Sequence, residues 1–453
     1  MSISQLLNIG QQGLSAYQQA LAVTSNNISN ANNTNYSRQK VVLGSQTPNT
    51  GSKGFLGAGV KMEDVTRVKS NLTDSQLRQY YSQNSMATKQ SSYLSQVESM
   101  LNEPGDSGLS SLVNKFFNSW SELAVTPDSL PLRQNVTQAA QQMTGKLQTI
   151  YEGIQQIKPD MKTEADTTVK AINDGLKNIQ TLNTQIYQAK IAGSTPNDLM
   201  DSRDKAINDL SKLANINVTF DKDNTAIVSM GGIMAVDKSN AMEFHAVEEN
   251  GHLKVKTSDG STSMALQGGE LGSITQLYNT VLPGLQKKLD DTANKIMLQV
   301  NKLHTTGSTL DTPPQTGLNF FDSYKDGVLS INKDIVNDPK KIAASSDGTS
   351  GNNTIASQIA NLQDQKLSDG FTIGDTYASF VNDVGTSIQA SNQTADSTDL
   401  VIQQLESQKA NYSGVSVDEE MINILKYQRS YDASAKVIKM ANDIFQTLLQ
   451  TVT

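Results

Sequence analysis

Residues 416–452 read SVDEEMINILKYQRSYDASAKVIKMANDIFQTLLQTV, and this stretch decides the fold class. Val417, Met421, Ile424, Gln428, Tyr431, Ala435, Ile438, Asn442, Phe445, Leu449 and Val452 step by four and three, and nine of these eleven are apolar. That spacing is the seam of a long coiled-coil-like helix. Ser416 as N-cap and Glu419 three residues on spell a capping box. Asp418, Glu419 and Glu420 suit a first helical turn, where the dipole favours carboxylates, better than they suit catalysis.

The opposite end carries a matching signal. Ile3, Leu7, Gly10, Leu14, Tyr17, Leu21, Thr24 and Ile28 repeat the same steps, and six of the eight are apolar. The helix should stop in the asparagine-rich run Asn26–Tyr36, because Asn side chains compete for the backbone and tolerate left-handed conformations. A lone stripe buries too little to offset the entropy of ordering so much backbone. Each seam therefore needs a partner. Either the ends order when they pack on neighbouring subunits, or the two helices pair within one chain. The candidate assembly residues are Ile3, Leu7, Leu14, Tyr17, Leu21, Ile28, Val417, Met421, Ile424, Tyr431, Ala435, Ile438, Phe445 and Leu449.

Between the ends the pattern is mostly helical. Extended pieces at 39–43 and 59–68 flank a loop punctuated by Gly51, Gly54, Gly57 and Gly59. Helices follow at 71–102, across Leu109–Leu123, at 132–192 with Pro159 as a candidate bend, and on to Ala214. Glu103-Pro104-Gly105-Asp106 and Pro127-Asp128 break them. Short β-like runs occupy 216–220, 225–229, 232–236, 252–256 and 263–266. Helix returns over 269–304, with Pro283 as a candidate kink, then a strand at 328–331 and a polar loop at 345–353. The last helices run from Thr354, from about 376 to 412, and from Val417 to the end.

The expected fold is mainly α with a small β insert. A long-helix bundle is made from N- and C-terminal halves, with a β-rich outer domain and terminal coiled-coil-like assembly helices. The expected units are an N-terminal assembly helix plus extended segment (1–68), a first bundle part (69–214) and the β-rich insert (215–268). A return helix (269–306), a loop with a short β segment (307–353), a C-terminal bundle part (354–412) and a C-terminal assembly helix (413–453) complete the chain.

Composition excludes several classes of function. The 453 residues are 36% hydrophobic and 18% charged, against roughly 45–50% and ~25% in ordinary domains, and the difference is made up by Ser, Thr, Asn and Gln. Such a chain suits long two-sided helices. A net charge of −8 argues against tracking a phosphate backbone, so no nucleic-acid partner is expected. No run of about 18 apolar residues occurs, so no membrane insertion is expected. The first residues have neither a basic nor a continuous apolar region, so they do not read as a secretory signal. The absence of cysteine excludes disulfides, thiolate nucleophiles and Cys-type zinc sites, and is compatible with an extracellular setting.

No catalytic, cofactor-binding or metal-binding constellation is read. His245, His252 and His304 lack any ligand spacing. Asp221-Lys222-Asp223-Asn224 opens like a calcium loop, but Ala226 and Gly232 stand where that loop needs Gly and Glu, so it reads as a β-turn. Gly54-Phe55-Leu56-Gly57-Ala58-Gly59 has no Gly-Lys-Ser/Thr and reads as a loop. Trp120 with Phe116 and Phe117 reads as local core.

Taken together, the ends carry a resemblance. Leu14-Ser15-Ala16-Tyr17, Asn26-Asn27-Ile28-Ser29-Asn30-Ala31-Asn32 and Tyr36-Ser37-Arg38-Gln39 resemble the N-terminal signature of bacterial flagellar axial proteins. Asn35 stands where that family usually has Gly, and Asn is the next-best residue for a left-handed position. Ser413-Gly414-Val415-Ser416-Val417-Asp418-Glu419-Glu420, Tyr427-Gln428 and Ala441-Asn442 resemble the C-terminal signature. Leu101-Asn102-Glu103-Pro104, Gly108–Leu112, Phe116–Trp120 and Asn197-Asp198-Leu199-Met200-Asp201-Ser202-Arg203-Asp204-Lys205 narrow the resemblance to the hook-associated protein 1 family of junction proteins. The insert looks small for that family.

The resemblance implies a structural protein joining flagellar hook to filament through subunit-to-subunit packing of terminal helices. It implies self-association in a ring or short helical layer, with the hook protein and the second hook-associated junction protein as neighbours. It also implies a cytoplasmic export chaperone at the C-terminal helix, passage through the flagellar type III export apparatus without a cleaved signal peptide, and an extracellular location. The competing readings are another axial protein of flagellin or hook type, against which the Trp120 segment argues, and a cytosolic coiled-coil interaction module. An enzyme hidden in the insert has no constellation behind it.

Overall fold

The computed structural model describes residues 3–46, 57–101 and 107–452. The glycines at 51 and 54, the start of the Gly54–Gly59 loop and the break at Glu103–Asp106 lie outside the described residues. The chain begins with α1 (Ile3–Ser29), the hairpin β1 (Gln39–Ser45) and β2 (Val60–Arg67), and then α2 (Asn71–Leu101), α3 (Leu109–Val125), α4 (Leu130–Ile191) and α5 (Asn197–Leu213). The insert holds β3 (Ile216–Phe220), β4 (Ala226–Met230), β5 (Ile233–Val236), β6 (Phe244–Glu249) and β7 (His252–Thr257). After it come α6 (Gly269–Gln276), a π-helical turn (Leu277–Val281) and α7 (Leu282–His304). The hairpin β8 (Phe321–Lys325) and β9 (Val328–Ile331) leads to α8 (Lys333–Asn337), α9 (Thr354–Asn361), α10 (Ile373–Ser413) and α11 (Val417–Val452).

The body is organised on α4. Its 62 residues span about 93 Å at 1.5 Å per residue. The helix continues through Pro159, and its buried stripe steps by three and four through Met143, Leu147, Ile150, Ile154, Ile157 and Met161. α2 and α10 pair antiparallel to each other, as Asp74–Lys409, Asn84–Thr398 and Ser91–Asn392 show. α10 starts at Ile373, with Thr372 and Asp375 forming both bonds of a capping box at 3.0 Å. At the far end, Phe116, Phe117 and Trp120 pack with Phe320, Phe321 and His304. Burial lowers the His304 pKa to about 4, and its neutral ring accepts from the Ala343 N–H while its other nitrogen meets the Leu318 carbonyl.

The insert is two units, the sheet β3-β4-β5 and the hairpin β6-β7. Their inner faces (Ala226, Val228, Met230, Phe244, Leu253 and Val255) join the same core as the helices. The strands β6 and β8 are not among those expected from the sequence. The strand expected over 263–266 is absent, and only Ser263 there forms a bridge, to Lys256. A π-helical turn stands just before Pro283, the candidate kink. Gly269 opens α6 at φ 70°, and a Cβ there would lie 2.5 Å from the Ala214 backbone.

A recurrent device fixes the strands to the helices. In each case one Asn amide accepts from a strand residue's N–H and donates to its C=O. Asn183 clasps Ala226 (3.0 and 2.8 Å), Asn173 clasps Phe244 (3.0 and 2.9 Å), Asn279 clasps Leu253 (both 2.7 Å) and Asn301 clasps Phe321 (2.9 and 2.7 Å). Strand groups that would otherwise lack partners are thereby satisfied.

Candidate assembly interface

α1 and α11 pair antiparallel, with Gly10 against Ile438, Tyr17 stacked near Tyr427 at 6.5 Å, and Asn27 beside Glu420. The buried face of α1 reads Gly10, Gly13, Ala16, Ala20, Thr24 and Asn27. A Cβ on Gly10 would lie 2.6 Å from Ile438 Cγ1, so this close approach requires glycine. The seam is thus built of small residues. Ile3, Leu7, Leu14, Tyr17, Leu21 and Ile28 sit half-buried on its margins, as do Ile424, Tyr431 and Ile438. Val417, Met421, Ala435, Phe445 and Leu449 are exposed. Ala441 is buried, and every described residue from 442 to 451 is exposed. Outside the seam α11 presents Met421 (52% exposed), Ile422 (66%), Leu425 (55%) and Phe445 (51%).

The polar end of the pair is a hub built from the two terminal signatures. Asn27 clasps Gln39, accepting from its N–H (3.0 Å) and donating to its C=O (2.8 Å). The same amide takes the Tyr36 hydroxyl at 2.8 Å and donates to Glu420 at 3.2 Å. Burial, helped by the Asp198, Asp201 and Glu420 carboxylates, pushes the Tyr36 phenol well above its usual range, so it remains a donor. Arg38 forks to Glu420 and Glu419, both at 2.7 Å, and its N–H donates to the Ser413 carbonyl at 2.9 Å. Glu420, only 2% exposed, stands in the first turn of α11 as expected and is also the buried partner of Arg38. The expected capping box at α11 is half made. Ser416 accepts from the Glu419 N–H at 3.4 Å, and the Glu419 carboxylate goes to Arg38.

A second cluster carries the hairpin onto α5. Asp201 accepts from the Ser37 N–H (3.0 Å), the Ser37 hydroxyl (2.7 Å) and Arg67 (2.7 Å), while Asp198 accepts from Gln39 at 3.2 Å. Asp204 binds Arg67 at 2.9 Å and Lys69 at 2.5 Å. Burial opposes the Asp204 charge, but Lys69 and Arg67 outweigh it and hold this carboxyl below its usual range. Arg203 turns inward instead, to the Asn224 carbonyl (2.6 Å) and over the Phe220 ring, and burial lowers its pKa to about 10. Sequence periodicity does not single out Asn27, Arg38, Glu420, Asp201 or Asp204 as site residues. The partners lie up to 393 residues apart, and their only signal is the motif strings themselves.

Among the described residues, two of the candidate polar groups have local partners. His245 pairs with Ser258 at 3.0 Å, and Asp221 caps its own turn by accepting from the Asp223 and Thr225 N–H groups. Among the described residues no three His, Asp or Glu side chains gather as metal ligands.

Comparison with known proteins fits this geometry. Residues 94–321, most of the body, match the profile described as the flagellar hook-associated protein FlgK helical domain. Residues 7–36 match that of the flagella basal body rod protein, and residues 407–451 that of the flagellar basal body rod FlgEFG protein C-terminal region. These two windows fall on the two halves of the α1/α11 pair. The flagellar hook-associated protein 1 of Bacillus subtilis (strain 168) is 27% identical over 494 residues, covering 98% of this chain and 97% of the relative. That of Escherichia coli (strain K12) is 25% identical over 545 residues, covering 99% and 100%. The second alignment is longer than this chain, so the relative has stretches with no counterpart here. The solved structure of the flagellar hook junction protein FlgK from Burkholderia pseudomallei superposes with a TM-score of 0.64 at 15% identity, over 75% of this chain and all of that one. At that identity it supports the fold alone.

Proposed function

The chain belongs to the flagellar hook-associated protein FlgK family, and from that premise we propose that it is a structural subunit of the hook–filament junction whose α1/α11 pair forms the contact layer between subunits. The observation that carries this reading is the apolar surface of α11. Pairing with α1 consumes only one face, and Met421, Ile422, Leu425 and Phe445 remain about half exposed or more. Monomeric proteins rarely present large exposed apolar patches without a partner for them. A layer whose subunits meet through unlike patches closes as a ring or short helix.

In this reading the candidate residues divide in two. Leu7, Leu14, Leu21, Ile424 and Ile438 brace the pair within a subunit, while Val417, Met421, Phe445 and Leu449 face neighbours. The neighbours are further copies, with the hook protein on one side and the second junction protein on the other. Before assembly the same apolar helix suits a groove on a cytoplasmic export chaperone, and the subunit leaves by the flagellar type III route without a cleaved signal peptide to work outside the cell. Its role is mechanical rather than catalytic, because the clustered charges are neutralised across joints between elements. Phe445→Asp should leave the folded subunit intact by circular dichroism yet abolish filament attachment and swimming in complemented cells. Normal motility would count decisively against the reading.

A further inference from the structure

Among the described residues, no hydrophobic cluster crosses from the terminal layer (α1, β1, β2 and α11) to the body. The large core spans residues from Tyr93 to Ile388, and the small one joins Leu77 to Ile402 and Leu405. Between layer and body lies a cleft of about 810 Å³, walled by the turn Asn30–Tyr36 on one side and by Leu77, Tyr81 and the last turns of α10 on the other. What crosses the joint is polar: hydrogen bonds from Ser37 and Gln39 to Asp201 and Asp198, and a run of ion pairs. Arg67 reaches Asp201 and Asp204 at 2.7 and 2.9 Å. Lys69 reaches Asp204 at 2.5 Å and Asp74 at 3.2 Å, and Asp74 meets Lys409 at 3.0 Å. Cations and anions thus alternate through the exit of β2, α5, α2 and the end of α10. All but Lys409 are largely buried.

We propose that this chain of ion pairs is a latch that holds the terminal layer at one angle to the body, across a joint that pivots when the latch opens. Joints without an apolar core move by default. Charge-assisted pairs fix a geometry that non-directional apolar contact does not. Removing one partner leaves an uncompensated charge, so the latch is either closed or released. The inference deepens the assembly reading above by giving the contact layer a settable angle, but its test needs only the subunit.

The cysteine-free chain allows selective labelling. Full-length protein carrying spin labels at Gln19→Cys on α1 and Asn178→Cys on α4, both exposed positions, is read by dipolar distance measurement. The expected result is one narrow distance distribution, kept by Arg67→Lys and lost to a broad one in Arg67→Glu, with the thermal unfolding of the body unchanged. A narrow distribution in Arg67→Glu, or a broad one before any charge is changed, would overturn the latch. So would collapse of the helical signal in Arg67→Glu, because the joint would then be integral to the body's fold. The Phe445→Asp motility result stands or falls independently of these distances.

Discussion

Asn183 is fully buried on α4, and its amide makes four hydrogen bonds at once, one of them a donation to the Asp237 carbonyl at 3.3 Å. It also accepts from the Ala226 N–H, donates to the Ala226 carbonyl and accepts from Arg203 at 3.2 Å. Asn183→Ala removes these partners while leaving them buried. Each stranded group costs about 1–3 kcal/mol, so the variant should lose roughly 3 kcal/mol of stability in urea unfolding. An Ala substitution at the exposed Asn178 on the same helix should change the midpoint very little. Asn27, Asn173, Asn279 and Asn301 repeat the clasp, so every sheet among the described residues is clipped to a helix by at least one. These five asparagines therefore have a structural role. The clasp is not legible in the sequence. An Asn that ends a helix and one that clasps a strand 12 or 71 residues away look alike there, and the asparagine run reads only as a helix end.

At the scale of elements, the terminal helices are legible because their periodicity is long and sustained. Within the subunit the buried face of α1 shares Gly10 and Thr24 with the periodic stripe but otherwise runs through smaller residues. Large residues mark a coiled-coil seam when helices sit at ordinary spacing, but Gly10, Gly13, Ala16 and Ala20 bring α1 closer and push the leucines to the margins. The short strands β6 and β8 escape because neither alternates cleanly and each pairs only with its own hairpin partner. Two glycines test the seam against propensity. Gly10→Val places a branched side chain where even a Cβ lies 2.6 Å from Ile438, so α1 must part from α11. The expected outcome is faster hydrogen exchange along both helices and failure to attach filaments. Gly145, within α4, has open space where a methyl group would stand, with nothing within 4 Å. Gly145→Ala should therefore stabilise the body by about 0.5–1 kcal/mol through helix propensity. Equal effects at the two positions would mean that the small-residue seam has no packing role.

The whole molecule divides where hydrophobic packing ends. Both apolar clusters lie between residues 77 and 405, so a fragment of residues 69–413 keeps both of them whole. It loses α1, the first hairpin and α11, together with the bonds from Ser37, Gln39 and Arg67 to Asp198, Asp201 and Asp204. Those carboxylates then face water rather than a buried void, and Lys69 remains beside Asp204. Re-solvation limits the penalty that an orphaned buried charge would otherwise impose. The fragment should be a soluble monomer whose main unfolding transition lies within a few degrees of the full chain, since about 1 kcal/mol moves the midpoint of a large domain by only ~2–4 °C. Its helical signal should fall by the share carried by α1 and α11, which hold 27 and 36 residues. Limited proteolysis of the full-length subunit should converge on the same boundaries, cutting near residues 68 and 414 before any site in α4. An insoluble or unfolded fragment would place structural cohesion in the terminal layer, and the division into a cohesive body and a polar-jointed contact layer would have to be abandoned.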